Sequence, residues 1–373
     1  MTDATAQRGP RDPAIDLAKG CAILGVLLIH SDALHRNFLF RHVVNQAVPV
    51  FVVLLGVNAT YWWQRRTPRR HWLEWYAGRL DRIMVPVWAM LPLWWAMALY
   101  FRPFGVVLTW RLPFLQAVGY LMYVGTGWFI TMVLQLVLLQ PLLEVLARRL
   151  GHAVLLAMGL VVTAGITAVG FHIVDRVGLF NYWIFSPRFL AHVTFGMALA
   201  PYVRRLDWRA GLAAGAVLAL AVAAGESELG PVGKLEASWV GGLALTVLLL
   251  VVLRPVARVP VVAPGLEWLG QSSYGVYIGQ LIVHNAFVYA FGLTDLFQKM
   301  NLWLYTGVLL AGGVGFTWLG EWLRRRAAAL RAQLVAPPAL GESPPPRPVR
   351  PPPLVPQLPS DRERPHDHAR RGG

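Results

Sequence analysis

The sequence predicts an all-α, polytopic helical bundle embedded in a membrane, and three observations predict it. The first is composition: of 373 residues, 56% are hydrophobic and only 14% charged, where a soluble domain carries about 25% charged residues. Mean hydropathy is correspondingly positive, at +0.49. The second is a succession of ten apolar runs, each near the roughly 20 residues a helix needs to cross hydrocarbon with its backbone groups paired internally. The third is the placing of the arginines, which gather in alternate connections between the runs. A soluble globular enzyme and a disordered chain are excluded. An outer-membrane barrel would alternate apolar and polar residues rather than run apolar. The single cysteine, Cys21, leaves no disulfide framework and no cysteine-based metal site, and no metal is expected.

The runs lie at about 15–34, 43–63, 80–101, 127–147, 153–174, 183–203, 209–225, 235–253, 269–291 and 302–323. Leu302–Gly320 and Ala153–Phe171 contain no charged residue. The run 209–225 is short, and 269–291 is rich in Gly, Ser and Gln. The first run is flanked by Arg8, Arg11, Asp16 and Lys19 and lacks a small-residue cleavage site, so it reads as a span rather than a cleaved signal peptide.

The net charge of +15 and the pI near 10.7 follow from topology. Arg65, Arg66, Arg69, Arg70, Arg79 and Arg82 lie between the second and third runs, and Arg148 and Arg149 after the fourth. Arg204, Arg205 and Arg209 surround the sixth-to-seventh connection, Arg254 and Arg258 the eighth-to-ninth, and Arg324, Arg325, Arg326 and Arg331 follow the last. The other connections are poor in base, and 226–236 is net acidic. The positive-inside rule then places both termini in the cytoplasm, with about ten transmembrane helices in the inner or plasma membrane. Nucleic-acid binding is the poorer account of the charge.

Three parts are expected: a cytoplasmic N-terminal segment 1–14, a transmembrane domain 15–325, and a cytoplasmic tail 336–373. The tail holds 12 of the chain's 27 prolines and cannot bury a core, so it should be extended and disordered. The segment 102–126 reads as an outer loop with an amphipathic middle, in which Trp110, Arg111 and Tyr120 suit either a sugar surface or an interfacial anchor. No internal repeat is visible, which counts against a transporter built from duplicated halves.

Ionisable groups inside spans are functional candidates, because burying them in lipid is costly. They are Asp16, Lys19 and His30 in the first run, Glu144 in the fourth, Arg188 and His192 in the sixth, and His284 in the ninth. His30 lies eleven residues beyond Lys19, about 16 Å along a helix, which puts it past the midplane. A neutral imidazole there can take a proton from a hydroxyl, or it can serve as an interhelical hydrogen-bonding residue. Arg188 and His192 share a helical face; the arginine suits an anionic or sugar oxygen, or a pairing with Glu144. Arg79 and Arg82, three apart, make either an anion clamp or ordinary positive-inside anchors.

Several segments together are similar to the membrane acyltransferase 3 family. Arg11-Asp12 through Asp16-Leu17-Ala18-Lys19-Gly20-Cys21-Ala22-Ile23, closing on His30, resembles the family's opening pattern. Val48-Pro49-Val50-Phe51 with Gly56 is similar to its second-span motif, and Arg79-Leu80-Asp81-Arg82-Ile83 with Pro86 to its Arg-x-x-Arg segment. Trp128-Phe129, Arg188 with Phe195-Gly196, and Ser273-Tyr274 with Tyr277 resemble later signatures. Leu55 stands where the family usually has Ser, and Gln280 where it usually has His, so no role is carried to position 280.

The resemblance implies an integral O-acyltransferase that moves an acyl group, usually acetyl, from acyl-CoA (acetyl-CoA above all) to a hydroxyl of a carbohydrate, glycolipid or glycosylated small molecule. It implies catalytic roles for His30, Asp16 and Arg188. It also implies acyl-CoA binding by Lys19, Arg79 and Arg82, with Asp16 beside Lys19 in the donor channel. The competing reading is a transporter or flippase in which His30, Arg188 and His192 bind a solute.

Overall fold

The computed structural model describes residues 12–29, 42–64, 72–101, 111–119, 127–177, 186–226, 231–287 and 301–335. Every regular element among them is helical. The chain divides into two units, Met1–Trp322 and Leu323–Gly373. The described part of the second is the end of the last helix, whose residues 323–330 are exposed.

Helix α1 (Pro13–Leu28) starts where its sequence dictates. Asp12 caps it, its carboxylate accepting from the Ala14 N–H at 3.1 Å, and proline occupies the first turn, where no donor is needed. Helix α2 (Ala47–Gln64) follows a 3₁₀ turn at Val44–Gln46. Helix α3 spans Trp72–Phe101 and α4 Arg111–Ala117. Helices α5 (Trp128–Leu150) and α6 (His152–Val177) are joined at Gly151, whose φ of 87° an L side chain rarely adopts. Helix α7 (Leu190–Leu199) lies between 3₁₀ turns at Ser186–Phe189 and Ala200–Arg205. Helices α8 (Trp208–Glu226), α9 (Pro231–Val256), α10 (Ala263–Asn285) and α11 (Leu302–Val335) complete the order.

Among the described residues, four helical segments are long and apolar enough to cross a membrane: Val44–Gln64, Trp128–Leu150, Trp239–Val256 and Leu302–Leu330. Apolar stretches His152–Ala168 and Trp208–Ala224 are shorter. Three of the expected runs need correction. The sixth is not one continuous α-helix, because Pro201 removes an N–H and its ring crowds the carbonyl four residues back, so the chain tightens to 3₁₀. The third begins at Trp72 rather than residue 80, which puts Arg79 and Arg82 inside the helix. The last continues past residue 323 to Val335. The tail 336–373 and residues 1–11 of the N-terminal segment lie outside the described residues.

Specific contacts set the helix directions. Gly25 of α1 faces Ala47, so α2 returns along α1. Gly56 lies against Val193, and the Tyr61 hydroxyl donates to the Ala200 carbonyl at 2.9 Å, so α7 runs parallel to α2. Thr163 accepts from the Ala191 N–H at 2.9 Å while Gly159 meets Thr194, making α6 antiparallel to α7. Gly211 faces Val251 and Gly241 faces Leu218, pairing α8 antiparallel with α9. Gly242 lies against Pro49, and Arg254 donates to the carbonyls of Val203 and Leu206, so α9 follows the direction of α2 and α7. Gly275 faces Thr317 and Gly312 faces Val283, so α11 returns along α10. Trp75 packs on Trp62 and Trp63, starting α3 at the end where α2 finishes.

The long helices of the described chain therefore alternate in direction. One end of the bundle, where α1 begins, collects Arg79, Arg82, Arg148, Arg149, Arg204, Arg205, Arg209, Arg254 and Arg258; we call it the basic end. The alternation inferred from charge reappears as a geometric segregation.

Two crossings bring backbones into contact. A Cβ on Gly20 would overlap the Leu266 carbonyl of α10, and one on Gly270 would overlap the Asp16 carbonyl of α1. In the same way Gly56 meets the Val193 carbonyl and Gly196 the Val53 carbonyl, at the crossing of α2 and α7. In hydrocarbon, helix association rests on such close packing rather than on burial from water.

Candidate functional site

At the basic end, α1 presents Asp16 and Lys19 one turn apart. The Asp16 carboxylate is buried, at 2% exposure, and the Lys19 ammonium lies 3.4 Å from it with 15% exposure. The Asp16 backbone lies against Gly270 at the close crossing of α1 with α10. The same end of α3 carries Arg79, whose guanidinium sits 4.5 Å over the Trp75 ring. Trp75 is itself fixed: it stacks on Trp63, meets Trp62 edge-on, and donates its indole N–H to the Val137 carbonyl at 3.0 Å. Arg79 is thus oriented by a rigid aromatic floor, while Arg82 is exposed one turn further on. The Tyr274 hydroxyl donates to the Ile83 carbonyl at 2.8 Å and ties α10 to this segment. A held guanidinium beside an exposed one fits a multiply charged anion such as a phosphate chain.

Above this end lies an aromatic layer built from three separate helices. Phe129 of α5 meets Phe51 of α2 at 6.1 Å and Tyr277 of α10 at 5.1 Å. One turn beyond Tyr277, away from the basic end, is Gln280. It is fully buried, and among the described residues neither its amide oxygen nor its amide nitrogen has a hydrogen-bond partner.

Arg188 stands at the opposite end, in the 3₁₀ turn that opens α7, 5.3 Å from the Phe189 ring. The turn is held by the Ser186 N–H donating to the Gln135 side-chain oxygen at 3.1 Å. His192, 1% exposed, packs against Phe189 at 5.7 Å with Arg188 beside it. Such a group can meet an oxyanion or a sugar oxygen.

The sequence candidates are therefore distributed over two ends. Asp16 with Lys19, and Arg79 with Arg82, occupy the basic end; Arg188 with His192 occupies the other. His30 lies outside the described residues. Glu144 is the partner of Arg148 on its own helix, at 2.8 Å, near the basic end, so the suggested pairing with Arg188 is not what the carboxylate makes. Trp88 of α3 donates to the Ala117 carbonyl and Trp95 of α3 to the Gln116 side chain, holding α4 on α3. Trp110 and Tyr120 fall outside the described residues. Among the described residues, no three of His, Cys, Asp and Glu are grouped as a metal site.

Sequence reasoning passed over Trp75 and Gly270. Trp75 was detectable, being four residues before Arg79 and so on its face. Gly270 was not, because only the fold shows that Asp16 lies over it.

A bundle with membrane-crossing helices, buried ionisable groups and one basic end defines an integral membrane protein. More particularly, the chain belongs to the acyltransferase 3 family: the family model described as an acyltransferase domain matches residues 12–322. It is accordingly a membrane protein of acyltransferase type. No curated protein and no solved structure matches the chain.

Proposed function

We propose that this protein is an O-acyltransferase that takes an acyl group, acetyl foremost, from acyl-CoA and gives it to a hydroxyl of a carbohydrate, glycolipid or glycosylated small molecule. The observation that carries the reading is the Arg79 guanidinium seated over Trp75 at the basic end of a chain matched to the family over 12–322. In this reading Arg79, Arg82 and Lys19 hold the phosphates of the donor. About ten helices cross the inner or plasma membrane, both termini and the tail 336–373 are cytoplasmic, and the acyl chain reaches inward from the basic end.

Two routes conserve atoms and charge. In one, His30 takes the acceptor's proton as its oxygen attacks the thioester carbonyl; the C–S bond breaks and the thiolate recovers that proton from the imidazolium. In the other, His30 attacks first, the C–S bond breaks and the thiolate leaves with the imidazole's proton; the acyl-imidazole then passes its acyl group to the hydroxyl, whose proton returns to His30. Arg188 stabilises the oxyanion in either case, and Asp16 orders Lys19 in the donor channel. The test is acyl-CoA consumption by the purified wild type beside His30→Ala, with thermal stability measured on both. Loss of turnover in a variant of unchanged stability supports the reading. Equal turnover removes His30, and no thioester consumption by the wild type, even with lipid-linked sugars present, moves the transporter reading ahead.

A further inference from the structure

A primary amide in the interior of a membrane bundle is costly unless its two N–H donors and its carbonyl oxygen are used. Among the described residues Gln280, at 0% exposure, finds a partner for none of them. Tyr277 and His284 share its face of α10, yet neither pairs with the amide, and the rest of its surroundings are apolar. Val276, Ile278, Gly279 and Leu281 are buried and apolar, and Gly279 is pressed against Gly312 and Gly313 of α11. The side chain shares a helical face with Tyr277, three residues before it, whose ring packs on Phe129. Gln280 is therefore presented about 4.5 Å further along α10, on the side of the aromatic layer away from the basic end. The ionisable groups of that end stay on the other side.

Resting on the acyltransferase reading, we propose that Gln280 selects the acceptor by hydrogen-bonding a neutral, hydroxyl-bearing sugar in the bundle interior. The chemistry of the amide decides the ligand class. A carboxylate or phosphate only accepts, and an ammonium only donates, so either would leave half of a primary amide unmet. A hydroxyl donates and accepts. Two neighbouring hydroxyls can therefore take the amide oxygen and the amide N–H together, as a pair, which is the arrangement a sugar ring offers. A buried group kept unpaired for its ligand discriminates strongly against molecules lacking the matching hydroxyl. Gln280 is thus a specificity residue and takes no part in proton transfer.

The experiment uses the full chain in lipid nanodiscs, with radiolabelled acetyl-CoA as donor and hexyl β-D-glucopyranoside as the acceptor probe, comparing wild type with Gln280→Met and Gln280→Leu. The expected result is a KM for the glucoside raised at least tenfold, a KM for acetyl-CoA moved less than twofold, and a melting temperature that stays level or rises. A level or raised melting temperature is the signature of removing an amide that the protein itself does not pair. An unchanged KM for the glucoside overturns the proposal, leaving a buried water as the amide's partner. A fall of several degrees with both KM values shifted overturns it too, because the amide would then be a packing element. Thioester hydrolysis by the wild type without any transfer to the glucoside also overturns it. If the wild type consumes no thioester, the acyltransferase reading fails separately. Equilibrium binding of tritiated hexyl glucoside then decides: binding lost in Gln280→Met supports the proposal, and binding retained or absent throughout overturns it.

Discussion

Replacing Gly270 by alanine tests whether the crossing of α1 and α10 is a backbone contact. The added Cβ would land on the Asp16 carbonyl oxygen, with the Asp16 Cα 3.1 Å away, and backbone cannot swing aside as a flexible side chain can. Restoring ordinary van der Waals distance requires the helices to part by roughly 1.5 Å, in an interior that is close-packed and not compressible. A gap of about 0.5–1 Å already forfeits a quarter to a half of each dispersion contact across an interface. Overpacking typically costs about 1–3 kcal/mol, and a helix–helix backbone clash belongs at the upper figure. At about 2–4 °C per kcal/mol, the melting temperature of the detergent-purified protein should fall by about 6–12 °C. Gly165→Ala is the control: nothing lies within 4 Å of a Cβ there, and alanine improves helix propensity by about 0.5–1 kcal/mol. It should therefore melt no lower than wild type. Gly20→Ala strains the same crossing from the other helix, so the double variant should lose less than the sum of the singles, since the helices separate once. If Gly270→Ala and Gly165→Ala melt together, the crossing is not held by backbone contact and the packing argument falls.

Three further outcomes follow from single contacts. Tyr274→Phe removes the hydrogen bond to the Ile83 carbonyl, worth about 0.5–1.5 kcal/mol. The melting temperature should drop by a few degrees, with a modest rise in KM for acyl-CoA because Ile83 adjoins Arg82. Arg79→Lys keeps the charge but loses the planar fork and its seat over Trp75; KM for acyl-CoA should rise about tenfold, with stability lowered by no more than about 1 kcal/mol. An unchanged KM would remove Arg79 from the donor site. Glu144→Gln breaks an ion pair whose Arg148 side chain is 55% exposed. Such pairs contribute about 0–1 kcal/mol, so turnover and melting temperature should both stay close to wild type, and a large loss of turnover would give Glu144 a role beyond its own helix.

The bilayer's constraints made much of this fold legible. Runs of apolar residues had to be helices, and arginines had to gather at one face, so α2, α5, α9 and α11 and the basic end were all readable in the chain. Helix ends inside polar segments were less so. The α3 start at Trp72 has no apolar signature, because the turns carrying Glu74, Arg79 and Arg82 lie where charge is tolerated. The break in the sixth span turned on Pro201, whose effect depends on whether the next turn tightens or kinks. For the site, the residue types were legible and their partners were not. Asp16 with Lys19, one turn apart, is the exception; Glu144, offered to Arg188 by the sequence, pairs instead with Arg148 on its own helix. The meeting of Phe51, Phe129 and Tyr277 joins residues far apart in sequence, and only packing reveals it.

That meeting bears on why such scattered motifs belong together. Val48-Pro49-Val50-Phe51, Trp128-Phe129 and Tyr274 with Tyr277 contain few groups with chemistry of their own, and the structure gives them a joint task. Phe51 and Tyr277 clasp Phe129, Tyr274 ties α10 to α3, and Gly56 and Gly196 let α2 and α7 touch. Each contact fixes one helix against another without relying on water to drive association. The acyl transfer proposed above, between a charged donor and a neutral acceptor, demands such fixity, because a displacement of about 1 Å between reacting groups can cost a hundredfold in rate. On this account the glycines and aromatics serve the reaction by holding α1, with its buried Asp16, at a set distance from α10, with its unpaired Gln280. Loosening the crossing at Gly270 should then lower turnover even under conditions where the protein remains folded, and a folded Gly270→Ala protein with wild-type turnover would separate packing from function.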